Sequence, residues 1–454
     1  MLKTLRNAWS IPELRQKMLF TLFILLLYRI GAAIPVPFVT ATSLKVAELG
    51  GSGSIFSYLN ILSGDSFSKG TLFALAVSPY ITAQIVIQLL AVAIPALEKL
   101  SKQGEEGRKK IERITRYLTV ALALITAFGY YKLLTNPQMT KYYGEVVTAG
   151  ANKFETYFIA VTIILCYTAG ASLIMWLAEK IDEQGIGNGI SMILFANILC
   201  GVPSTIANFK MQIEEYLKKD NSYVAVAVVL SVLAILVVLA SIVFMVYMTD
   251  AERRIPVQYA KRVVGRKMYG GQNSNLPIKL NMSGVMPIIF ATTIVSLPIT
   301  IIALVEQYKG SLSKFGTALK DALSSDNWIY AVVLFVLIIA FAYFYISISF
   351  NPVEVANNLM QQGGSIPGIR PGKPTAQYIQ KVLNKVVLMG AFFLGIIACV
   401  PLVINIISTE IFSVGIGVVS FSGNSLLIVV GVALETVRDM ESQMAMRHYK
   451  GFLQ

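Results

Sequence analysis

The chain has 454 residues, of which 55% are hydrophobic and 14% are charged, and its formal net charge is +13. Soluble domains carry about 25% charged residues, so the composition excludes an ordinary soluble protein and indicates a polytopic membrane protein. Cys166, Cys200 and Cys399 lie in apolar runs without CxxC spacing. They indicate small core residues, not a disulfide framework or a zinc site.

The amino terminus is basic, and the apolar run that follows contains Arg29 and ends in IPVPF without a small-residue cleavage site. We therefore expect this run to be retained as the first membrane span. Arg29 is the one clear intramembrane charge in the sequence. The simpler expectation is that it snorkels or pairs locally, and the alternative is a functional role.

Ten apolar runs are long enough to cross a bilayer, which takes about 17 to 25 helical residues. The fifth and tenth are the least regular, because glycines open one and glycine and serine precede the other. The predicted spans are Met18 to Ile34, Leu72 to Ile94, Tyr117 to Leu134, Thr156 to Ala178, Ile186 to Val202, Tyr223 to Tyr247, Val285 to Val305, Trp328 to Phe350, Val386 to Ile407, and Ser425 to Val437.

An even number of spans places both termini on one side of the membrane. Most of the 38 Lys and Arg residues, and nearly all the excess positive charge, lie at the termini and in the loops on that side. By the positive-inside rule this side is the cytoplasm. The net charge therefore requires no DNA partner.

Between the first two spans, Gly- and Ser-rich sequence brackets a short amphipathic piece, Ile55 to Leu62. It is too short to span, and its flexible ends favour a movable segment. The second span contains Pro79 and several polar residues, among them Thr82, Gln84 and Gln88. Because lipid offers them no hydrogen-bond partner, they indicate the wall of a cavity.

Two basic cytoplasmic loops are prominent, residues 249–280 and 351–381. Alternating apolar residues from Ile255 to Val264 predict a short hairpin with Gly265 and Arg266 near its tip. In the second loop, glycines and prolines between Gly364 and Pro374 exclude a continuous helix. Both loops are either ordinary membrane anchors or docking sites.

The two halves of the chain, 1–220 and 221–454, resemble each other weakly. AVSPYITAQIV in the second span and GVMPIIFATTIV in the seventh share a valine two residues before a proline. With five spans per half, a duplicated unit would be inverted in the second half.

Catalytic motifs are missing from the sequence. The only histidine is His448, and no HExxH, GxSxG, P-loop or paired intramembrane aspartates occur. We therefore predict no enzymatic activity and no cofactor. A secondary transporter for a small solute is an alternative, but it should bury ionisable groups in its spans. A lipid-insertion or scaffold protein is a third.

The chain resembles the SecY family, the pore subunits of the bacterial protein-translocation channel, from end to end. The motifs that carry the resemblance are RIGAAIPVPF, SGDSFSKGTLFALAVSPYITAQIVIQLL, EKLSKQGEEGRKKIERITRY, GIGNGISMILFANI, RRIPVQYAKR, LPIKLNMSGVMPIIFA, NPVEVANNLMQQGG, IPGIRPGKPT and SLLIVVGVALET.

The resemblance implies an all-α polytopic membrane protein with ten transmembrane helices. They form two pseudo-symmetric five-helix halves, a clamshell around a central hourglass pore. A plug at about residues 51–70 would include Ile55, Phe56, Tyr58, Leu59, Asn60, Ile61 and Leu62. An apolar pore ring would consist of Val77, Ile81, Ile190, Leu194, Ile289 and Ile428.

The resemblance also implies a lateral gate between spans two and three and spans seven and eight, with Thr82, Gln84, Gln88 and Leu297 at it. Docking residues for the SecA ATPase or the ribosome would be Arg253, Arg254, Lys261, Arg262, Arg266, Lys267, Arg370 and Lys373. The further implied partners are SecE-like and SecG-like small membrane subunits, signal peptides, unfolded secretory chains and membrane lipid. The implied location is the bacterial plasma membrane.

Overall fold

The computed structural model describes residues 2–40, 60, 62–135, 146–148, 152–217, 221–259, 262–264, 267–269, 273–309, 314–323, 327–412 and 423–450. The helices, numbered in chain order, are α1 (Leu2–Ser10), α2 (Pro12–Gly31), α3 (Ser78–Ala93), α4 (Pro95–Lys102), α5 (Glu105–Leu134), α6 (Lys153–Gln184), α7 (Gly189–Leu217), α8 (Asn221–Asp250), α9 (Met286–Lys309), α10 (Lys314–Ala322), α11 (Trp328–Ser349), α12 (Pro352–Gln361), α13 (Lys373–Phe412) and α14 (Gly423–Lys450).

Each of the ten predicted spans falls on a different helix, namely α2, α3, α5, α6, α7, α8, α9, α11, α13 and α14. Four helical segments of the described chain have the length and apolar composition to cross a membrane, Glu105–Leu134, Lys153–Gln184, Trp328–Gln361 and Lys373–Ile404. Shorter apolar helices accompany them. The all-α polytopic class predicted from the sequence is confirmed.

Two helix starts differ from the prediction for local reasons. The second span was expected from Leu72, but α3 begins at Ser78, after turns in which Ala76 has a φ of 49°. Pro79 fits the first turn of α3, where its missing N–H costs no hydrogen bond. The ninth span was expected from Val386, but α13 already begins at Lys373, because no helix breaker interrupts the chain from Thr375 to Met389.

The main apolar core joins the two halves of the chain. One cluster of buried residues combines α2, α3, α6 and α7 with α8, α9, α11, α13 and α14. Within it, α3 contacts α9, and α9 also contacts α5 and α11. On the outside, large apolar side chains are exposed, for example Leu22 and Phe23 on α2 and Leu165 on α6. In a membrane protein such side chains face lipid.

The strands are β1 (Glu252–Tyr259), β2 (Arg262–Val264), β3 (Lys267–Tyr269), β4 (Asn273–Lys279) and β5 (Gly364–Ser365). The predicted hairpin is present as β2–β3, with Gly265 and Arg266 between the strands and outside the described residues. In the chain it lies between β1 and β4, which form a longer antiparallel pair in a separate sheet, with Ile255 opposite Leu276. The edge of β1 also pairs with β5.

Gly170→Ala should destabilise the fold. A Cβ atom at Gly170 would lie 2.1 Å from the carbonyl oxygen of Leu72, so the backbone must shift. Overpacking of this kind costs about 1–3 kcal/mol. We expect a lower midpoint of thermal unfolding in detergent. The control is Gly201→Ala in α7, where a Cβ would meet no heavy atom within 4 Å. Equal midpoints for the two variants would contradict the contact.

Candidate functional site

The six residues predicted for the apolar ring lie in one buried cluster. They come from four helices: Ile81 from α3, with Val77 at its N-cap, Ile190 and Leu194 from α7, Ile289 from α9, and Ile428 from α14. Each is at most 4% exposed. Val77 with Ile81 and Ile190 with Leu194 are separated by four residues, which places each pair on one face of its helix. The helices thus bring branched aliphatic side chains together from both halves of the chain.

The segment predicted as the plug is described only in part. Ile55, Phe56, Tyr58, Leu59 and Ile61 lie outside the described residues, whereas Asn60 and Leu62 lie within them. Leu62 belongs to the same apolar cluster as the ring residues. We call the described residues 62–70 the closing segment.

Asn60 organises the closing segment through hydrogen bonds. Its Nδ2 donates to the Asp65 Oδ1 at 3.0 Å, and its Oδ1 accepts from the Ser68 N–H at 2.9 Å. Its carbonyl oxygen accepts from the Ser63 hydroxyl and from the Asp65 N–H, both at 3.0 Å. An asparagine that was predicted only as a polar residue of the plug therefore closes a compact series of turns.

Two tyrosines fix the far end of the closing segment. The Tyr130 hydroxyl donates to the Phe67 carbonyl, and the Tyr167 hydroxyl donates to the Gly70 carbonyl at 3.1 Å. The rings of Phe67 and Tyr130 lie 4.7 Å apart, and those of Tyr130 and Tyr167 lie 5.0 Å apart. Residues 63–70 are therefore packed and hydrogen-bonded against α5 and α6.

The helices of the predicted lateral gate are adjacent, since α3 and α5 both contact α9. The Thr82 hydroxyl, however, donates to the Ser78 carbonyl of its own helix at 3.0 Å, so it does not donate across this interface. Gln84 lines a cavity, Gln88 is half-buried and Leu297 is exposed.

A cavity of about 940 Å³ lies on the side of the molecule that carries the strands. Its lining includes Pro277 and Lys279 of β4, and it reaches Tyr80 and Val285, which are close in sequence to the ring residues. The walls are charged. One wall carries an ion pair between the Arg116 Nε and the Glu179 Oε1 at 2.7 Å. Such a wall can hold water and ions, for which the aliphatic side chains of the ring offer no ligands.

The two basic loops form one surface, which we call the basic platform. β5 of the second loop pairs with β1 of the first, so that Gln258 is opposite Ser365. Below the strands, Ile255, Val257 and Ile366 are buried in one cluster with Leu359 and Ile379. Gly364 permits this contact, because a Cβ there would lie 3.0 Å from the Tyr259 ring.

The predicted docking residues occupy this platform where they are described. Arg253 and Arg254 are exposed on β1, and Arg254 forms an exposed ion pair with Glu252 at 2.6 Å. Lys261 and Arg266 lie outside the described residues, and Arg262 and Lys267 lie in β2 and β3. The placement of the last two side chains is not described.

Arg370 is exposed on a turn just before α13, and Lys373 is exposed as the first residue of that helix. The Thr375 hydroxyl donates to the Arg370 carbonyl at 2.8 Å and closes this turn. Gly372 has a φ of 95°, a backbone conformation that favours glycine. The turn therefore presents Arg370 to solvent from a fixed backbone.

The chain is similar in sequence to known proteins over its whole length. A sequence model of the SecY family matches residues 71–437. The protein translocase subunit SecY of Streptomyces galbus is 41% identical over 462 residues, with 100% of both chains covered. That of Mycobacterium tuberculosis strain H37Rv is 40% identical over 467 residues, again with both chains fully covered.

Solved structures share the fold at low sequence identity. A protein-conducting channel has a TM-score of 0.65 at 17% identity, with 95% of this chain and 92% of that chain covered. A SecY protein whose plug domain stabilises the closed state and maintains a membrane seal has a TM-score of 0.64 at 18% identity and the same coverage. Sec61 in a canine ribosome–channel complex has a TM-score of 0.61 at 16% identity, also with 95% and 92% covered.

Proposed function

The chain belongs to the SecY family and is the pore-forming subunit of a protein translocase, and from this premise we propose how its residues conduct a polypeptide. It acts as a passive channel. Unfolded secretory chains cross the membrane through the apolar ring, and hydrophobic signal segments leave sideways into lipid. The driving force comes from a partner, SecA or the ribosome.

The observation that carries this proposal is the cluster of six buried branched aliphatic residues from both halves of the chain, together with a charged cavity whose lining includes Tyr80 and Val285, close in sequence to ring residues. A polar chain cannot cross hydrocarbon without water, because each unsatisfied backbone group costs several kcal/mol. A continuous water column would leak ions. A short aliphatic collar offers ions no ligands and tends to dewet, and its side chains can move aside for any extended chain.

The closing segment is the natural plug, because Leu62 reaches the ring cluster while residues 63–70 are anchored. The lateral gate lies between α3 and α9, which are in contact. Interhelical hydrogen bonds in membranes average about 0.6 kcal/mol, which an inserting signal helix could offset.

The two halves of the chain, 1–220 and 221–454, are an inverted duplication in this proposal. The starts of α3 and α9 support it, because each helix has a proline at its second residue and a buried valine just before it. Ile81 and Ile289 then occupy equivalent positions in the two halves. Each follows its valine by four residues, and both belong to the ring.

The basic platform is the docking site for the partner that drives transport. Arg253, Arg254, Arg370 and Lys373 are exposed on it, and Lys and Arg bind both the phosphates of ribosomal RNA and acidic protein surfaces. The Sec61 structure similar to this chain is part of a ribosome–channel complex. We further assign SecE-like and SecG-like subunits as partners, the bacterial plasma membrane as the location, and the cytoplasm as the side of both termini.

A cysteine at Ile289 tests the proposed path. In a chain whose native cysteines are replaced by alanine, Ile289→Cys should crosslink to a secretory chain stalled during transport. The control is Leu165→Cys on the outer face of α6, which is 56% exposed and should not crosslink to the passenger. If Ile289→Cys never contacts the passenger but is protected by a small solute, the chain is a transporter instead.

A further inference from the structure

A buried asparagine connects the closing segment to the core. Asn197 is fully buried on α7, three residues after the ring residue Leu194. Its Nδ2 donates to the Leu62 carbonyl at 2.7 Å and to the Tyr28 hydroxyl at 2.8 Å. One amide therefore joins α2, α7 and the closing segment within the apolar cluster.

Arg29 lies against the same part of the closing segment. Its Nη1 and the Asn197 Oδ1 are both buried, and neither has a hydrogen-bond partner among the described residues. A Cβ atom at Gly64 would lie 2.7 Å from the Arg29 Nη1 and 3.0 Å from the Asn197 Oδ1. Gly64 has a φ of 59°, so glycine serves here both for its conformation and for its lack of a side chain.

These contacts have opposite effects on opening. The Asn197–Leu62 hydrogen bond exists only while the closing segment is seated, so it favours the closed state. Arg29 is half-buried, but its Nη1 is held away from water without a partner among the described residues, which is unfavourable for a cationic group. Departure of the segment exposes the Arg29 Nη1 and the Asn197 Oδ1 to pore water, so their hydration favours the open state.

We propose that Asn197, Arg29 and Tyr28 form a polar latch that sets the threshold for displacing the closing segment. The inference rests on the proposed role of this segment as the plug. Asn197 binds the main-chain carbonyl of Leu62, so its hold on the closing segment does not depend on which apolar side chains the segment carries. Arg29 weakens the closed state, because its Nη1 gains hydration when the closing segment leaves. Such a balance keeps the channel shut at rest and allows a signal segment to open it.

The latch is tested by the resting conductance of the assembled translocase in planar lipid films. Asn197→Leu should raise the open probability about three- to tenfold, which is the factor expected from the loss of one neutral hydrogen bond. Arg29→Met should lower the open probability, because the cation whose buried Nη1 becomes hydrated on opening is removed. A general disturbance of the structure would not change the open probability of the two variants in opposite directions.

Two further variants keep the test independent of folding defects. Gly64→Ala leaves every latch side chain in place but puts a Cβ against Arg29 and Asn197, and it should raise conductance as Asn197→Leu does. Thr119→Val is the matched control. Thr119 is also fully buried, but its hydroxyl donates to the Thr115 carbonyl of its own helix at 2.7 Å. This variant should conduct as the unaltered channel does.

Ile289→Lys, which disrupts the ring itself, separates the latch from the channel assignment. If Ile289→Lys leaks while Asn197→Leu and Gly64→Ala stay at the unaltered level, the latch is wrong and the pore assignment stands. If Ile289→Lys is also tight, the pore assignment is wrong as well. An increase of conductance in Arg29→Met would overturn the proposed balance.

Discussion

A channel that carries lysine at both Ile81 and Ile289 should lose its resting seal. Both side chains are 4% exposed and belong to one apolar cluster, Ile81 from α3 and Ile289 from α9. Lysine there hydrates the constriction and gives anions a ligand. Because a hydrated, charged constriction no longer excludes ions by dewetting, we expect the resting ion conductance to rise well above that of the unaltered channel.

The measurement is the conductance of the purified translocase in planar lipid films without a passenger. Leucine at both positions is the matched control, because it keeps the apolar volume and should preserve the seal. Both variants should first be shown to fold, by a cooperative thermal unfolding transition of the purified channel. If the double-lysine channel has the low resting conductance of the unaltered channel, the ring does not form the seal, whatever the transport rate of the variant.

The sequence predicted the membrane architecture because the signals for it are local. Each span is recognised by the hydrophobic length of its own residues, and all ten coincide with helices of the structure. Helix starts depend on finer backbone geometry. Ala76, with a φ of 49°, ends the non-helical turns before α3, and nothing in the apolar run TLFALAV predicts it.

The ring residues were named from motif resemblance, and their common cluster could not have been derived from hydropathy. Val77, Ile190 and Ile428 are three aliphatic residues among many in a chain that is 55% hydrophobic. Only the packing of α3, α7 and α14 distinguishes them from lipid-facing positions. The transporter alternative gains no support from the family to which the chain belongs.

The polar contacts of the closing segment were missed because they depend on partners far away in the chain. Asn197 contacts Leu62, 135 residues before it, and Tyr130 contacts Phe67, 63 residues before it. One signal was available, since an asparagine inside an apolar span indicates a partner in the protein. The pairing of β1 with β5 was missed for the same reason, so two loops that looked separate form one platform.

Arg370→Glu should slow translocation while the channel stays folded. Arg370 is exposed, and the residues that shape its turn, Gly372 and Thr375, are unchanged in this variant. A negative charge on the platform would repel the acidic or phosphate groups that docking requires. Changes in surface charge act mainly on the association rate, and we expect about a tenfold slower rate of transport at low salt. The difference should shrink as salt screens the platform.

Transport of a secretory chain into vesicles, measured against partner concentration, tests this expectation. Lys153→Glu is the control, since it makes the same change from a positive to a negative charge at an exposed residue on the first turn of α6, outside the platform. Thr375→Val should reduce the rate of transport by an intermediate amount. Arg370 keeps its charge in this variant, but its carbonyl no longer accepts the hydrogen bond from the Thr375 hydroxyl that fixes the turn. Normal rates in Arg370→Glu at low salt would show that docking does not use this turn. A loss that higher partner concentration cannot restore would place Arg370 in a step after docking.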